Sequence, residues 1–358
     1  MINGASAGEE CVPSFSSTGG DLVDQLREQD RVALAVYAGA AGAVLPSTGG
    51  NDKLKIRCAI GALEAGGSTA GGQGLALAYK MAEANFVKSA VNRVVLMTDG
   101  DFNVGIADPA KLKGFVADKR STGIYLSVYG FGRGNYHDTM MQTLSQSGNG
   151  TAAYVDSLQE ARKLFRDEFS AGMVPIADDV KIEVEFNPAR VAEYRLIGYE
   201  TRLLNREDFN NDRVDAGEIG AGAAVTALYE VTPVGGPLSV DPLRYQTVAA
   251  PEPRSEEIAY LRIRYKAPGA TTSKLIERPI GAADRVVRLD LAPESTRFAL
   301  AVAGYGQWLR GDPYVSAPFD WKALLALADG ARGADPYGTR AEFVQLIRAA
   351  ATAKHVNE

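Results

Sequence analysis

The sequence predicts an α/β fold with a doubly wound, mostly parallel sheet, followed by a β-rich region and a helical C-terminal segment. Three observations carry that prediction. Short apolar runs such as Val94-Val95-Leu96-Met97 and "IYLSVYGFG" are bounded by turn residues, as strands buried on both faces are. Stretches with helical spacing separate these runs, which is the pattern of repeated βα units. Beyond Met173 the pattern changes to alternation with period two, as expected of half-buried antiparallel strands.

The elements follow in order. "DLVDQLREQ" has helical spacing and leads into the strand "RVALAVYAG"; "AVLP" is a short strand after a tight turn. "KLKIRCAIGAL" is a short helix and "AGGSTAGGQG" a glycine-dense loop. "LALAYKMAEANF" is amphipathic, with Leu75, Ala78, Tyr79, Ala82 and Phe86 on one face. After the strand at 94–97 comes a helix near 109–120, where Pro109 suits a first turn. "IYLSVYGFG" is a strand, "HDTMMQTLSQ" a helix, "AAYVD" a strand, and "SLQEARKLFRDEF" a helix with Ser157 as N-cap. "VKIEVEFNPARVAEYRLIGYE", "AVTALYEVTPV" and "IAYLRIRYKAP" read as antiparallel strands, with "AAPEPRSEE" an exposed loop. "STRFALAVAGYGQWL", "WKALLALADGA" and "TRAEFVQLIRAAA" are helices. The boundaries drawn from this pattern are 1–20, atypical and irregular; 21–172, α/β; 173–290, β-rich; and 291–358, helical. Tyr194, Tyr199, Tyr229, Tyr260 and Tyr265 are read as strand packing, and Trp308 and Trp321 as anchors of the helical tail.

Composition excludes several functions. A chain of 358 residues with 46% hydrophobic and 23% charged residues is ordinary for two or three globular domains. A net charge of −6 and a pI near 5.3 argue against electrostatic binding of nucleic acid. No apolar run reaches the roughly 18 residues of a membrane span, and no signal peptide is visible at the N-terminus. Cys11 and Cys58 lack metal-ligand spacing and read as buried thiols in preference to a disulfide, and two histidines are too few for a His-rich zinc site.

The question is why an apolar strand should deliver Thr98-Asp99-Gly100-Asp101 at its end. Ligands of parallel sheets bind beyond the carboxyl ends of the strands, although Asp and Gly also favour plain turns. "AGGSTAGGQG" lacks the Lys of a phosphate loop, and Gly66–Ala70 follows a helix where a nucleophile elbow requires a strand. "GFGRGN" lacks the third glycine of a dinucleotide fingerprint. Thr69 and Asp99 are different: one precedes a helix, the other follows a strand, and hydroxyl and carboxylate are hard donors suited to Mg2+.

The text "LVDQLREQDRVALAVYAGAAGAVLP", "LEAGGSTAGGQGLALAY", "NRVVLMTDGDFNVG" and "SVYGFGRGNYHDTMMQTLSQSGNGTAAYVDS" resembles the von Willebrand factor type A domain. More narrowly it is similar to a bacterial subgroup with an uncharacterised C-terminal extension, a likeness that continues through "VKIEVEFNPARVAEYRLIGYE" and "DFNNDRVDAGEIGAG". The resemblance implies a Rossmann-type sheet carrying a metal-ion-dependent adhesion site. There an Asp-x-Ser-x-Ser loop, a Thr and an Asp hold Mg2+ or Mn2+, and a partner's Asp or Glu completes the coordination. Thr69 and Asp99 match the second and third elements, with Ser68 and Asp101 as accessory groups. The first strand and the Asp-x-Ser-x-Ser motif are missing from "MINGASAGEECVPSFSS", so the start is expected to be truncated or altered and metal binding weak or absent.

The functional expectation is a non-enzymatic protein-interaction module. The alternatives are a metal-dependent hydrolase or phosphoryl-transfer enzyme using Asp99 and Asp101, and a purely structural envelope protein. The resemblance implies the cell envelope or periplasm, although the chain shows no anchor. Asp208, Asn210, Asp212, Asp215 and Glu218 make a weak calcium loop. Arg213 stands where an EF-hand needs Gly and Ile219 where it needs Glu, so a solvated turn is the preferred reading over Ca2+.

Overall fold

The computed structural model describes residues 19–20, 22–37, 41–63, 71–98, 109–131, 137–198, 203–214, 216–241, 256–315 and 320–357. The chain divides into two compact units, 1–178 with 217–223, and 179–216 with 224–358.

In the first unit β1 (Arg31–Val36) pairs antiparallel with β2 (Gly42–Gly49). Helix α1 (Lys53–Gly61) follows, its first turn capped by the Asp52 carboxylate, which accepts from the Lys55 amide. Cys58 lies on α1 as an exposed free thiol, so the expectation of a buried one is corrected; Cys11 lies outside the described residues. Helix α2 (Gly71–Glu83) leads to β3 (Asn92–Thr98). Helix α3 (Pro109–Ser121), β4 (Ile124–Phe131), α4 (Asp138–Ser147) and β5 (Ala152–Val155) complete the βα series. Strands β3, β4 and β5 are parallel neighbours, with Asn92 opposite Ile124 and Val128 opposite Ala152. The α/β expectation is borne out.

Period-two alternation explains why these strands are apolar throughout. Val94, Leu96, Leu126 and Val128 join Tyr37, Leu75, Tyr79, Leu112, Val116 and Met141 in one core cluster. The residues between them, Met97, Tyr129 and Phe131, join Leu34, Leu45, Ile56 and Phe165 in another. Each fully buried Leu or Phe contributes about 1.5–3 kcal/mol relative to exposure. The predicted 158–169 helix is broken. After α5 (Leu158–Arg162), capped by Ser157 as expected, the chain makes a π turn at Lys163–Asp167 before α6 (Phe169–Met173). There the Glu168 amide donates to the Lys163 carbonyl at 2.8 Å. Ala161 and Phe165 are both buried, with Phe165 edge-on to Tyr129 at 4.9 Å.

Strand β6 (Pro175–Phe186) begins in the first unit and continues into the second. The short strand β8 (Gly217–Gly220) belongs to the first, where the Ala221 amide donates to the Val174 carbonyl. In the second unit β7 (Val191–Ile197) pairs antiparallel with β9 (Leu228–Pro233). Strand β10 (Glu257–Lys266) lies between β6 and β11 (Lys274–Gly281). Phe186 lies tilted over Tyr194 at 4.5 Å and edge-on to Tyr229 at 5.3 Å, so these tyrosines pack across strands as expected; Tyr199 lies outside the described residues. Three helices follow: α7 (Glu294–Arg310), α8 (Trp321–Asp329) and α9 (Thr339–Asn357). Ala301, Ala328, Val344 and Ile347 form their core, and Trp308 stacks on Trp321 at 5.3 Å. Gly311, at φ 66°, ends α7 in a left-handed turn that favours glycine.

The residue after that turn fastens the helices to the β7–β9 ribbon. Asp312 accepts from Arg195 Nη1 at 2.7 Å, from Gln307 Nε2 at 3.1 Å and from the Tyr314 amide at 2.9 Å. Arg195 also pairs with Glu230 at 2.6 Å and lies over the Tyr314 ring. Burial alone would push the Asp312 carboxyl up, but the Tyr314 amide, Arg195 and Gln307 outweigh it and hold it below the ordinary range. A depressed carboxyl stabilises the fold above its unfolded value, near pH 3.9, and loses that contribution as pH falls through the folded value. Acid unfolding followed by tryptophan fluorescence should therefore begin at higher pH in Asp312→Asn, whose neutral side chain lacks the charge-dependent stabilisation throughout.

Candidate functional site

The carboxyl edge of the β3–β5 sheet is assembled from elements that meet there. Tyr37, the residue after β1, donates its hydroxyl to the Met97 carbonyl at 3.1 Å, a buried bond joining the carboxyl ends of β1 and β3. Thr98 is fully buried. Helix α2 ends near the amino edge of β3, where Asn92 Nδ2 donates to the Val87 carbonyl at 2.8 Å. Its 13 residues span about 20 Å, close to the height of the sheet, so its first turn starts at the opposite, carboxyl edge. Gly71, Gly72 and Gly74 are buried in that turn. Thr69 and Ser68 precede α2, and Asp99 and Asp101 follow β3; all four lie outside the described residues.

The weak calcium-loop candidate divides between the two units. Glu218 sits in β8 with the α/β unit, Asp208, Asn210 and Asp212 belong to the second unit, and Asp215 lies outside the described residues. Lys181 reaches the loop from β6, its ammonium donating to the Asn211 carbonyl at 2.6 Å and the Asp208 carbonyl at 3.1 Å. Lys266 donates to the Asp212 carbonyl at 2.8 Å and Arg264 to Asn210 Oδ1 at 3.0 Å. Phe209 is buried beneath the Arg262 and Arg264 guanidinium groups. Hydrogen bonding from Ser273, with Lys266 and Arg264 nearby, holds the Asp212 carboxyl below its usual range. Among the described residues no group of three or more His, Cys, Asp or Glu is placed to hold a metal.

Two clusters escaped sequence reasoning. One is this row of cations, legible in retrospect as Arg262, Arg264 and Lys266 at every second position of one strand. The other surrounds Arg93 at the amino edge of β3. Its Nη1 donates to Ser127 Oγ at 2.7 Å and its guanidinium lies 5.4 Å from the Tyr125 ring centre. Burial lowers the Arg93 pKa, while Tyr129, Glu218 and Tyr125 favour its charged form. Nothing in the sequence pairs Arg93 with the distant β8; their meeting is purely tertiary. The chemistry of this half-buried cluster is that of a support in which Glu218 offsets the guanidinium charge.

A parallel sheet with helices between its strands and a carboxyl edge built by β1, β3 and α2 is the arrangement of doubly wound α/β domains, the class to which von Willebrand factor type A domains belong. The sequence model of the von Willebrand factor type A domain matches residues 5–168, and that described as uncharacterized protein YfbK, C-terminal, matches residues 171–353. The second of these covers more than half of the chain, which belongs to that family; the first marks the N-terminal part as similar to the von Willebrand factor type A domain. It is 44% identical over 350 residues to the uncharacterized protein YfbK of Escherichia coli, covering 97% of this chain and 60% of that protein. Uncharacterized protein sll0103 of Synechocystis is 28% identical over 148 residues, 41% of this chain and 34% of that protein. The solved von Willebrand factor type A protein from Catenulispora acidiphila aligns with a TM-score of 0.50 at 16% identity, covering 97% of this chain and 80% of that one. That likeness supports the fold. Domains of this type commonly mediate protein interactions.

Proposed function

We propose that the chain is a non-enzymatic interaction module that offers the carboxyl edge of its parallel sheet to a partner protein. The observation that carries this reading is the Tyr37–Met97 bond, which gathers the ends of β1 and β3 at the edge where α2 begins. Thr69 stands two residues before α2 and Asp99 directly follows β3, so both belong to segments leaving that edge. A hydroxyl and a carboxylate fit a hard cation such as Mg2+ or Mn2+, with Ser68 and Asp101 as accessory oxygens. Thr69 and Asp99 are two of the donors such a site uses, and we expect these two alone to bind metal weakly or not at all. In this reading the partner supplies an Asp or Glu side chain, and the protein works at the cell envelope, a location that rests on family resemblance alone.

Calorimetric titration of the full chain with MgCl2 and MnCl2 tests the donor set. The expected result is no saturable heat in the micromolar range, unchanged in Asp99→Ala. Micromolar affinity abolished by Asp99→Ala would overturn the incomplete-site reading. For the interaction itself, immobilised chain in millimolar MgCl2 should retain a partner whose capture is lost in Asp99→Ala and in a chelator. Capture unaffected by Asp99→Ala would move the binding surface elsewhere.

A further inference from the structure

The face of β6 and β10 beneath the 205–214 loop carries a charge problem that the loop solves. Contacts at Asp179 with Lys266, Glu183 with Arg262 and Asn187 with Ile258 advance along one strand as they retreat along the other. The strands therefore run antiparallel, and two of the facing pairs are opposite in sign. The position between them sets Lys181 across from Arg264, and like charges directly opposed destabilise a sheet. Lys181 is only 3% exposed, so water cannot compensate. The compensating oxygens come from the loop: the Asp208 and Asn211 carbonyls for Lys181, and Asn210 Oδ1 for Arg264.

We propose that the 205–214 loop is a metal-free latch whose resident cation is the Lys181 ammonium, so the oxygens resembling a calcium loop serve protein side chains. Three backbone carbonyls of the loop are already donated to, those of Asp208 and Asn211 by Lys181 and that of Asp212 by Lys266. Lys266 is in turn neutralised by Asp179, which also accepts from the Ala216 amide at 3.2 Å and so fixes the far end of the loop. Phe209, 1% exposed, nails the centre into place. The loop is thus ordered by four cations from β6 and β10, and it orders them.

Hydrogen exchange of the 206–214 amides in the full chain, read by mass spectrometry, tests the latch. In the wild-type chain exchange should be the same in CaCl2 and in EDTA. Lys181→Met, close in length and uncharged, should speed exchange there on the order of 10- to 100-fold, the loss expected for hydrogen bonds to a charged group. Lys181→Arg, which keeps the charge, should lie between the two. If Lys181→Met does not fold, Asn210→Ala provides the second arm. It removes the exposed loop's acceptor for Arg264, and exchange should rise equally with calcium and with EDTA. Calcium-slowed exchange in the wild-type loop would overturn the proposal, as would a Lys181→Met chain whose loop exchanges at the wild-type rate.

Discussion

Gly150→Ala is expected to lower stability by at least about 3 kcal/mol, larger than the ordinary effect of a surface substitution. The reason is the contact between the α4–β5 turn and the backbone of β4. A Cβ at position 150 would lie 1.9 Å from the Leu126 carbonyl oxygen and 2.5 Å from its carbonyl carbon. Backbone on both sides is already committed: the Leu126 amide donates to Gly148 at 2.8 Å and the Gly150 amide to Ser145 at 2.9 Å. Neither chain can retreat without breaking those bonds and the β4–β5 register. For a folded unit of this size the midpoint of thermal unfolding should fall by roughly 6–12 °C. Gly114→Ala is the matched control. Gly114 lies inside α3 with nothing within 4 Å of its missing Cβ, so alanine there should raise stability by about 0.5–1 kcal/mol. If Gly150→Ala melts with the wild-type chain, the close approach of turn and strand is not present in solution.

Arg93→Met should also destabilise, by about 1.5–3 kcal/mol, because it removes a charged donor to Ser127 from a half-buried polar set. Ser127 Oγ would lose its 2.7 Å donor and Glu218 its neighbouring positive charge. Arg93→Lys should recover only part of the loss, since an ammonium cannot lie flat over Tyr125. Urea unfolding of Arg93→Met, Glu218→Gln and the double variant closes a cycle in which the coupling should exceed about 1 kcal/mol. Strict additivity would separate the two residues.

These predictions show where the sequence was readable. Val94 to Met97 announces a two-faced buried strand because period two is a local property, and Ser157 announces a helix start for the same reason. The π turn at 163–167 leaves no such mark, since helical spacing at Ala161 and Phe165 is satisfied equally by an unbroken helix. Strand β8, four residues including two glycines, has too short a pattern to read and owes its form to β6 and to the ring of groups around Arg93. At the carboxyl edge, Tyr37 reads as one more core aromatic, and only the fold reveals that its hydroxyl ties β1 to β3. The 208–218 segment was legible as oxygen-rich. Its reading as a calcium loop counts donors along the chain, while the cations that occupy them arrive from β6 and β10, far away in sequence.

The division of the chain into 1–178 with 217–223 bears on how the protein is made. A ribosome delivers Arg93 long before Glu218, and the intervening residues 179–216 belong to the other unit. Until β8 has emerged, the nascent α/β unit holds the Arg93 guanidinium beside Ser127 and Tyr125 without the Glu218 charge. A fragment stopped at 178 is therefore expected to be less stable than the unit that also carries 217–223.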